Sequence, residues 1–254
     1  MVKPNQFGNY KRLLTLDKIK LRFQLHQKLH NFEVDQLFED IKHKPFTAIQ
    51  YRYLEKGIRY QGVIDIETSD FNPYKNFIIG YVMIIRDIAT GKEQLIADNI
   101  EKKDIALAVK NDSFDFDKRL LEDLGENMAR CDHLVGHYSS KFDIPYIRSR
   151  LLLTNQEQHI PDYGQIRFGD TWRMMKNSIK APRNTLKNLA IYTNTKDQKT
   201  HVDYGHWQRI WFKDSPLWDR SMHYIMDHCI KDVKMTVRAL KKIETFNNIP
   251  MAMV

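Results

Sequence analysis

The segment Gly62-Val-Ile-Asp-Ile-Glu-Thr-Ser69 sets two carboxylates, Asp65 and Glu67, two residues apart inside an apolar, β-branched run. Successive side chains of a strand alternate between its faces, so Asp65 and Glu67 point one way while Ile64 and Ile66 point the other. Two like charges side by side on a core strand repel one another and lose hydration, an arrangement seldom kept for stability alone. A divalent cation removes both penalties, and an all-oxygen ligand set favours Mg²⁺ or Mn²⁺. The same pair also fits an ordinary strand with one solvated polar face.

A metal site needs further ligands. In Leu134-Val-Gly-His-Tyr-Ser-Ser-Lys-Phe-Asp-Ile-Pro-Tyr-Ile147 a buried strand runs out into Asp143 at the start of a helix. Strand ends are where α/β proteins assemble their sites. Alone, Asp143 also reads as a helix-start acid near the positive end of the dipole. The next carboxylate is Asp232, in a long last helix where Val233, Met235, Val237 and Leu240 mark a face bordering the core. His228 lies four residues earlier, on the same helical face. By themselves the two also fit a structural hydrogen-bonded pair.

The elements that must position these residues follow from apolar patterning and turn chemistry. Residues 11–57 read as helical, with apolar positions at Leu13, Leu14, Leu16, Ile19, Leu21, Phe23, Leu25 and Leu29. Asn31 and Thr47 are N-caps for helices over Phe32–Ile41 and Ala48–Glu55, Pro45 separates them, and Gly57 ends the second. Three short basic helices fit a helix-turn-helix unit that enters a DNA groove, and equally a small bundle packed on a catalytic domain. From Arg59 the pattern turns to strand: Tyr60–Thr68, Phe77–Arg86 and Gln94–Ala97, with turns at Asn72-Pro73 and Thr90-Gly91. Helices over 101–110 and 115–130, a strand His133–Tyr138, a helix Phe142–Leu153 and a brief strand Ile166–Phe168 ending at Asp170 come next. Helices over 171–178, 184–192, 205–212 and 218–245 complete the chain. Strands followed by alternating helices and strands predict an α/β sandwich around a mixed sheet. The expected division is a basic helical segment, 1–57, and an α/β domain, 58–254.

Together, and in this order, the three motifs resemble those of the DEDD (DnaQ-like) 3′–5′ exonucleases of the ribonuclease H-like superfamily. Asp65-Ile-Glu67-Thr68 matches the Asp-x-Glu-Thr motif. Phe142-Asp143-Ile-Pro-Tyr146 is similar to the second motif of family-B DNA polymerase proofreading domains, and His228-Cys-Ile-Lys-Asp232-Val resembles the third, Tyr-Cys-x-x-Asp-Val. The likeness covers about residues 58–246. It implies a ribonuclease H-like fold, a mixed five-stranded sheet flanked by helices, with the appendage outside it. It also implies two Mg²⁺ or Mn²⁺ ions about 4 Å apart, held by Asp65, Glu67, Asp143 and Asp232, and hydrolysis of phosphodiester bonds from a 3′ end to release nucleoside 5′-monophosphates. His228 stands where the tyrosine subclass carries its Tyr, and Asp227 where the histidine subclass carries its His. His228 would orient or deprotonate the attacking water; His223 and Tyr224 are weaker substitutes. Before Asp143, polymerase relatives carry an Asn where this chain has Tyr138-Ser-Ser-Lys. Thr68 would contact the terminal nucleotide, and Phe71 or Phe142 would stack on a base. Lys199 falls in a predicted loop where some relatives carry a Lys-Thr pair, and reads either as a phosphate contact or as a solvated lysine. Asp170 is expected to cap the next helix rather than ligate metal. Trp172, Trp207, Trp211 and Trp218 are expected to be packing anchors.

Composition narrows the partners. The net charge of +8 is unevenly placed: the first 60 residues carry 12 basic against 6 acidic side chains, which suggests nucleic acid, most simply DNA with a free 3′ end. No apolar run approaches the roughly 20 residues of a membrane span, and the amino terminus lacks the apolar core of a secretory signal. Cys131 and Cys229 lie far apart, giving neither a zinc ribbon nor a disulfide framework, so the expected home is cytoplasmic. The competing functions are a ribonuclease H-like endonuclease or RNA-trimming nuclease with the same carboxylates, and a nucleic-acid-binding adaptor whose nuclease site has decayed.

Overall fold

The computed structural model describes residues 46–162, 164–195 and 202–247. The helices expected over 11–41, and with them the helix-turn-helix unit, lie outside the described residues. The chain divides into two compact units, one running to Gln61 and including Arg86–Lys92, the other made of Gly62–Ile85 and the residues from Glu93 onward.

In the first unit, helix α1 (Ala48–Leu54) starts at Thr47, whose hydroxyl accepts from the Gln50 N–H while the Gln50 side chain accepts from the Thr47 N–H. That reciprocal capping satisfies two orphan donors of the first turn. Gln50 Nε2 also donates to the Ile88 carbonyl at 2.9 Å, and Arg86 lies over the Tyr53 ring. Gly57, at φ 70°, supplies the left-handed residue that stops the helix.

The second unit is built on a five-stranded sheet of order β3-β2-β1-β4-β5: β1 Tyr60–Thr68, β2 Ile78–Asp87, β3 Glu93–Asn99, β4 His133–Gly136 and β5 Arg167–Asp170. The neighbours β1, β2 and β3 are joined by connections shorter than the dozen or so residues of a parallel crossover, so they form an antiparallel meander. The Ser69 N–H to Phe77 carbonyl and Ile100 N–H to Ile79 carbonyl bonds fit that register. β4 and β5 pair in parallel, Leu134 opposite Phe168. The fold class is therefore the expected one, α/β with a mixed five-stranded sheet flanked by helices.

Helices cover both faces. Helix α2 is Lys102–Lys110, α3 Lys118–Ala129, α4 Asp143–Leu153, α5 Thr171–Ser178, α6 Leu186–Tyr192, α7 Gly205–Arg209 and α8 Trp218–Ile243. On β2, the Tyr81 hydroxyl bonds Asp123 and Asn127 of α3, while a Cβ at Gly80 would come 2.4 Å from Met226 Sδ of α8. Neighbouring β2 residues thus meet different helices on opposite faces. That is why Ile78–Ile85 are buried without alternation, as a run of apolar residues should be in a strand covered on both sides.

β4 ends two residues before the strand expected from sequence. Tyr138 takes the left-handed conformation, φ 65°, which ends the extended run. Asp170 holds this loop in place: Oδ1 accepts from the Tyr138 and Trp172 N–H groups, and Oδ2 from the Ser140 N–H and hydroxyl. The residue expected to cap α5 does so, and it also fixes the loop leading to Asp143.

A second anchor is buried. Arg150 of α4 grips Asp117 with two bonds, Nη2 to Oδ1 at 2.6 Å and Nε to Oδ2 at 2.9 Å, and donates to the Pro73 carbonyl. Asp117 in turn accepts from the Ile78 N–H, so one ion pair ties α4, the start of α3, the head of β2 and the β1–β2 loop. Both side chains are essentially sealed from solvent, at 3% and 0% exposure, and truncating one strands the other charge. Arg150→Ala should destabilise the fold by about 3–5 kcal/mol in a denaturant titration; a loss below about 1 kcal/mol would show that water replaces the guanidinium.

Candidate active site

The alternation expected along β1 is what the structure holds. Gly62 faces Cys131 and Leu134, the same side as Ile64 and Ile66, and the opposite side turns Asp65 and Glu67 toward α8. The Cys229 thiol of α8 lies 3.5 Å from Asp65 Oδ2, and the Trp207 indole N–H of α7 donates to Glu67 Oε2 at 3.2 Å.

Asp143, the first helical residue of α4, is 4% exposed and reaches back to β1, where its Oδ1 accepts the Ile66 N–H at 3.1 Å. Asp232 and His228 are both 6% exposed, with His228 Nε2 3.7 Å from Asp232 Oδ2. All four carboxylates and His228 line one cleft of about 400 Å³, a size within the roughly 300–1,000 Å³ of small-ligand sites. Thr68, Phe71 and Phe142 line it too; Phe71 is 80% exposed and meets the Phe142 ring edge-on at 5.8 Å. Lys199 lies outside the described residues. Tyr224 is not among the lining residues: it stacks on His206, ring centroids 4.1 Å apart.

The electrostatics express the crowding. Burial first, and then the charges of Asp143, Glu67 and Asp232, push the Asp65 carboxyl well above its usual value. Burial, opposed by the Ile66 N–H, pushes the Asp143 carboxyl up to about 7. Burial, and then the charges of Asp65, Glu67 and Asp143, also raise the Cys229 thiol. Asp65, Glu67 and Cys229 offer ligand atoms within 4.8 Å of one another. A thiol held protonated donates to Asp65 rather than ligating, which leaves an oxygen donor set. Such a set suits Mg²⁺ or Mn²⁺, and a cation would relieve the repulsion that otherwise holds protons on these acids.

Sequence reasoning missed Trp207, which it placed among the packing anchors. The indole N–H bonds Glu67, and the ring meets His228 edge-on at 6.0 Å and 83°. Trp207 thus holds one carboxylate and walls the imidazole. Tyr204, 71% exposed, extends that wall along the cleft. Trp218 does pack as expected, its N–H bonded to the Ile210 carbonyl.

Two measurements probe this arrangement. The folded-state values of Asp65 and Asp143 lie above the unfolded ones. These acids therefore favour the metal-free fold most below about pH 4, and that stability is lost as pH rises toward about 7. The gain in melting temperature on adding Mn²⁺ to chelator-treated protein should accordingly grow from pH 5 to pH 8; a gain independent of pH would separate the carboxylates from the metal. Trp207→Phe keeps an aromatic ring at the position but removes the donor, and should weaken Mn²⁺ binding by about 10-fold or more. Unaltered Mn²⁺ affinity would reduce Trp207 to a wall.

No protein-family model matches the chain, and no curated protein matches it. Among solved structures it is similar to the family B DNA polymerase from the hyperthermophilic archaeon Pyrobaculum calidifontis, with a TM-score of 0.50 and 16% identity over 72% of this chain. The match takes in 24% of the polymerase, about a quarter of its length, and at that identity it is a likeness of fold.

Proposed function

We propose that the protein is a metal-dependent 3′–5′ exonuclease acting on DNA. The observation that carries this reading is the convergence of Asp65 and Glu67 from the central strand β1, Asp143 from the start of α4 and Asp232 from the last helix on one cleft with a buried His228. Like charges brought together at a cost to stability are characteristic of sites built to hold cations. The fold likeness to a DNA polymerase supports the same reading without specifying the activity.

In this mechanism Asp65, Glu67, Asp143 and Asp232 would hold two Mg²⁺ or Mn²⁺ ions, which would supply an activated water and neutralise charge on the phosphate. Asp143, fixed by the Ile66 N–H, and Glu67, fixed by the Trp207 N–H, keep their positions before substrate arrives. His228 accepts the proton of the attacking water through its imidazole, and Asp232 beside it stabilises the imidazolium that results. A histidine titrates nearer neutrality than a tyrosine, so the substitution retains the capacity for proton transfer. Phe71 and Phe142 offer faces for the terminal base and Thr68 a polar contact beside it.

Digestion of 5′-labelled single- and double-stranded DNA and RNA with Mg²⁺ or Mn²⁺ tests the reading. A ladder shortening by one nucleotide from the 3′ end of DNA is expected. Asp65→Ala should reduce the rate by about 10³-fold or more while DNA binding persists. Internal cuts, cleavage of RNA alone, or Mg²⁺-dependent cleavage that survives Asp65→Ala would overturn it.

A further inference from the structure

Beyond the carboxylates, one surface segment has an unusual charge balance. Residues 171–195 contain five basic side chains, Arg173, Lys176, Lys180, Arg183 and Lys187, and no acidic one. Elsewhere in the same unit several basic groups face carboxylates: Lys102 with Asp219, Arg119 with Asp98 and Asp104, Lys231 with Asp227, and Lys241 with Glu93. Within 171–195 none of the five has a carboxylate partner among the described residues. Four of them are exposed and Arg173 is half-exposed, on α5, α6 and the loop between. Unmatched positive charge on neighbouring elements creates a field that attracts a polyanion.

The segment is continuous with the cleft. Tyr138, which lines the cleft and is 46% exposed, meets the half-exposed Trp172 ring at 5.5 Å, and Lys176 lies over the other end of this series, 5.2 Å from the Trp172 centroid. Farther along, His137 of the cleft wall places Nε2 3.0 Å from the Asn184 carbonyl, an acceptor to which only an N–H can donate. The loop carrying Lys180 and Arg183 is thereby tied to the wall of the site.

We infer that α5, α6 and their connecting loop form the track along which single-stranded DNA leaves the cleft, its bases against Tyr138 and Trp172 and its phosphates against Arg173, Lys176, Lys180, Arg183 and Lys187. This rests on the exonuclease reading for the identity of the strand in the cleft. Aromatic faces next to unmatched cations suit unpaired bases on a flexible backbone. A duplex would hide its base faces from both rings.

The test separates binding from hydrolysis. In chelator, fluorescence anisotropy with a labelled single-stranded DNA of about 20 nucleotides is followed over a salt series. The full-length variant K176E/K180E/K187E should bind at least about 10-fold more weakly, with a salt slope flatter by about two, since each lost single-strand contact contributes about 0.7. K92E/K110E/K118E makes the same charge change on exposed lysines elsewhere and should stay within about threefold of the parent. Equal losses in both variants, no loss in the first, or a loss confined to RNA or duplex would overturn the track. A p-nitrophenyl ester of thymidine 5′-monophosphate, too short to reach the track, is then offered with Mn²⁺. Equal hydrolysis by parent and K176E/K180E/K187E is expected. Failure of the parent to hydrolyse it or any nucleic acid would defeat the exonuclease reading while leaving the binding result to stand for itself.

Discussion

Mutual repulsion of four carboxylates at the end of β1 is the constraint around which the second unit is arranged. Left to themselves, such groups would move apart or keep their protons. Each is instead restrained from a different direction: Asp143 by the backbone of β1, Glu67 by the Trp207 indole, Asp65 by the Cys229 thiol, and Asp232 by its place on a 26-residue helix. The restraints are mostly neutral donors, which orient a carboxylate without supplying the full positive charge that would compete with a cation. The charged anchor, Arg150 with Asp117, is spent on the frame and is not among the residues lining the cleft.

The loop from β4 to α4 shows the same separation between frame and site. Asp170 accepts four hydrogen bonds, from Tyr138, Ser140 and Trp172, and so resembles a ligand in sequence while being used up in structure. By fixing the loop before Asp143 it sets where that carboxylate emerges. A saturated acid can determine a neighbour's position as firmly as packing does, because each bond it accepts removes a way for the loop to move.

Much of this was readable in the chain because it is local. Asp65 and Glu67 share a face by the period of a strand, His228 and Asp232 by the period of a helix, and the long apolar run of β2 announces a strand covered on both sides. Thr47 and Gly57 marked the ends of α1 through their own chemistry. What the sequence hid is non-local or against propensity. Tyr138 adopts a conformation that tyrosine seldom takes, so β4 is shorter than its residue pattern predicts. Arg150 and Asp117 are partners across 33 residues, and Trp207 reaches Glu67 across 140, distances over which no periodicity carries information. Trp207 also sits on a five-residue helix, too short to present a face that distinguishes a positioning indole from a packed one.

The contacts that hold the carboxylates have a consequence for how the protein matures. The bond from Ile66 to Asp143 closes 77 residues of chain, and that from Cys229 to Asp65 closes 164. Loop closure over such spans costs conformational entropy that the packing of the intervening elements must offset, so the convergence depends on the whole unit rather than on any one element. A nascent or half-folded chain holds its acids dispersed along a flexible polymer, where they cannot act in concert. The cluster therefore exists only where β1, α4 and α8 have met, and none of these elements can assemble it alone.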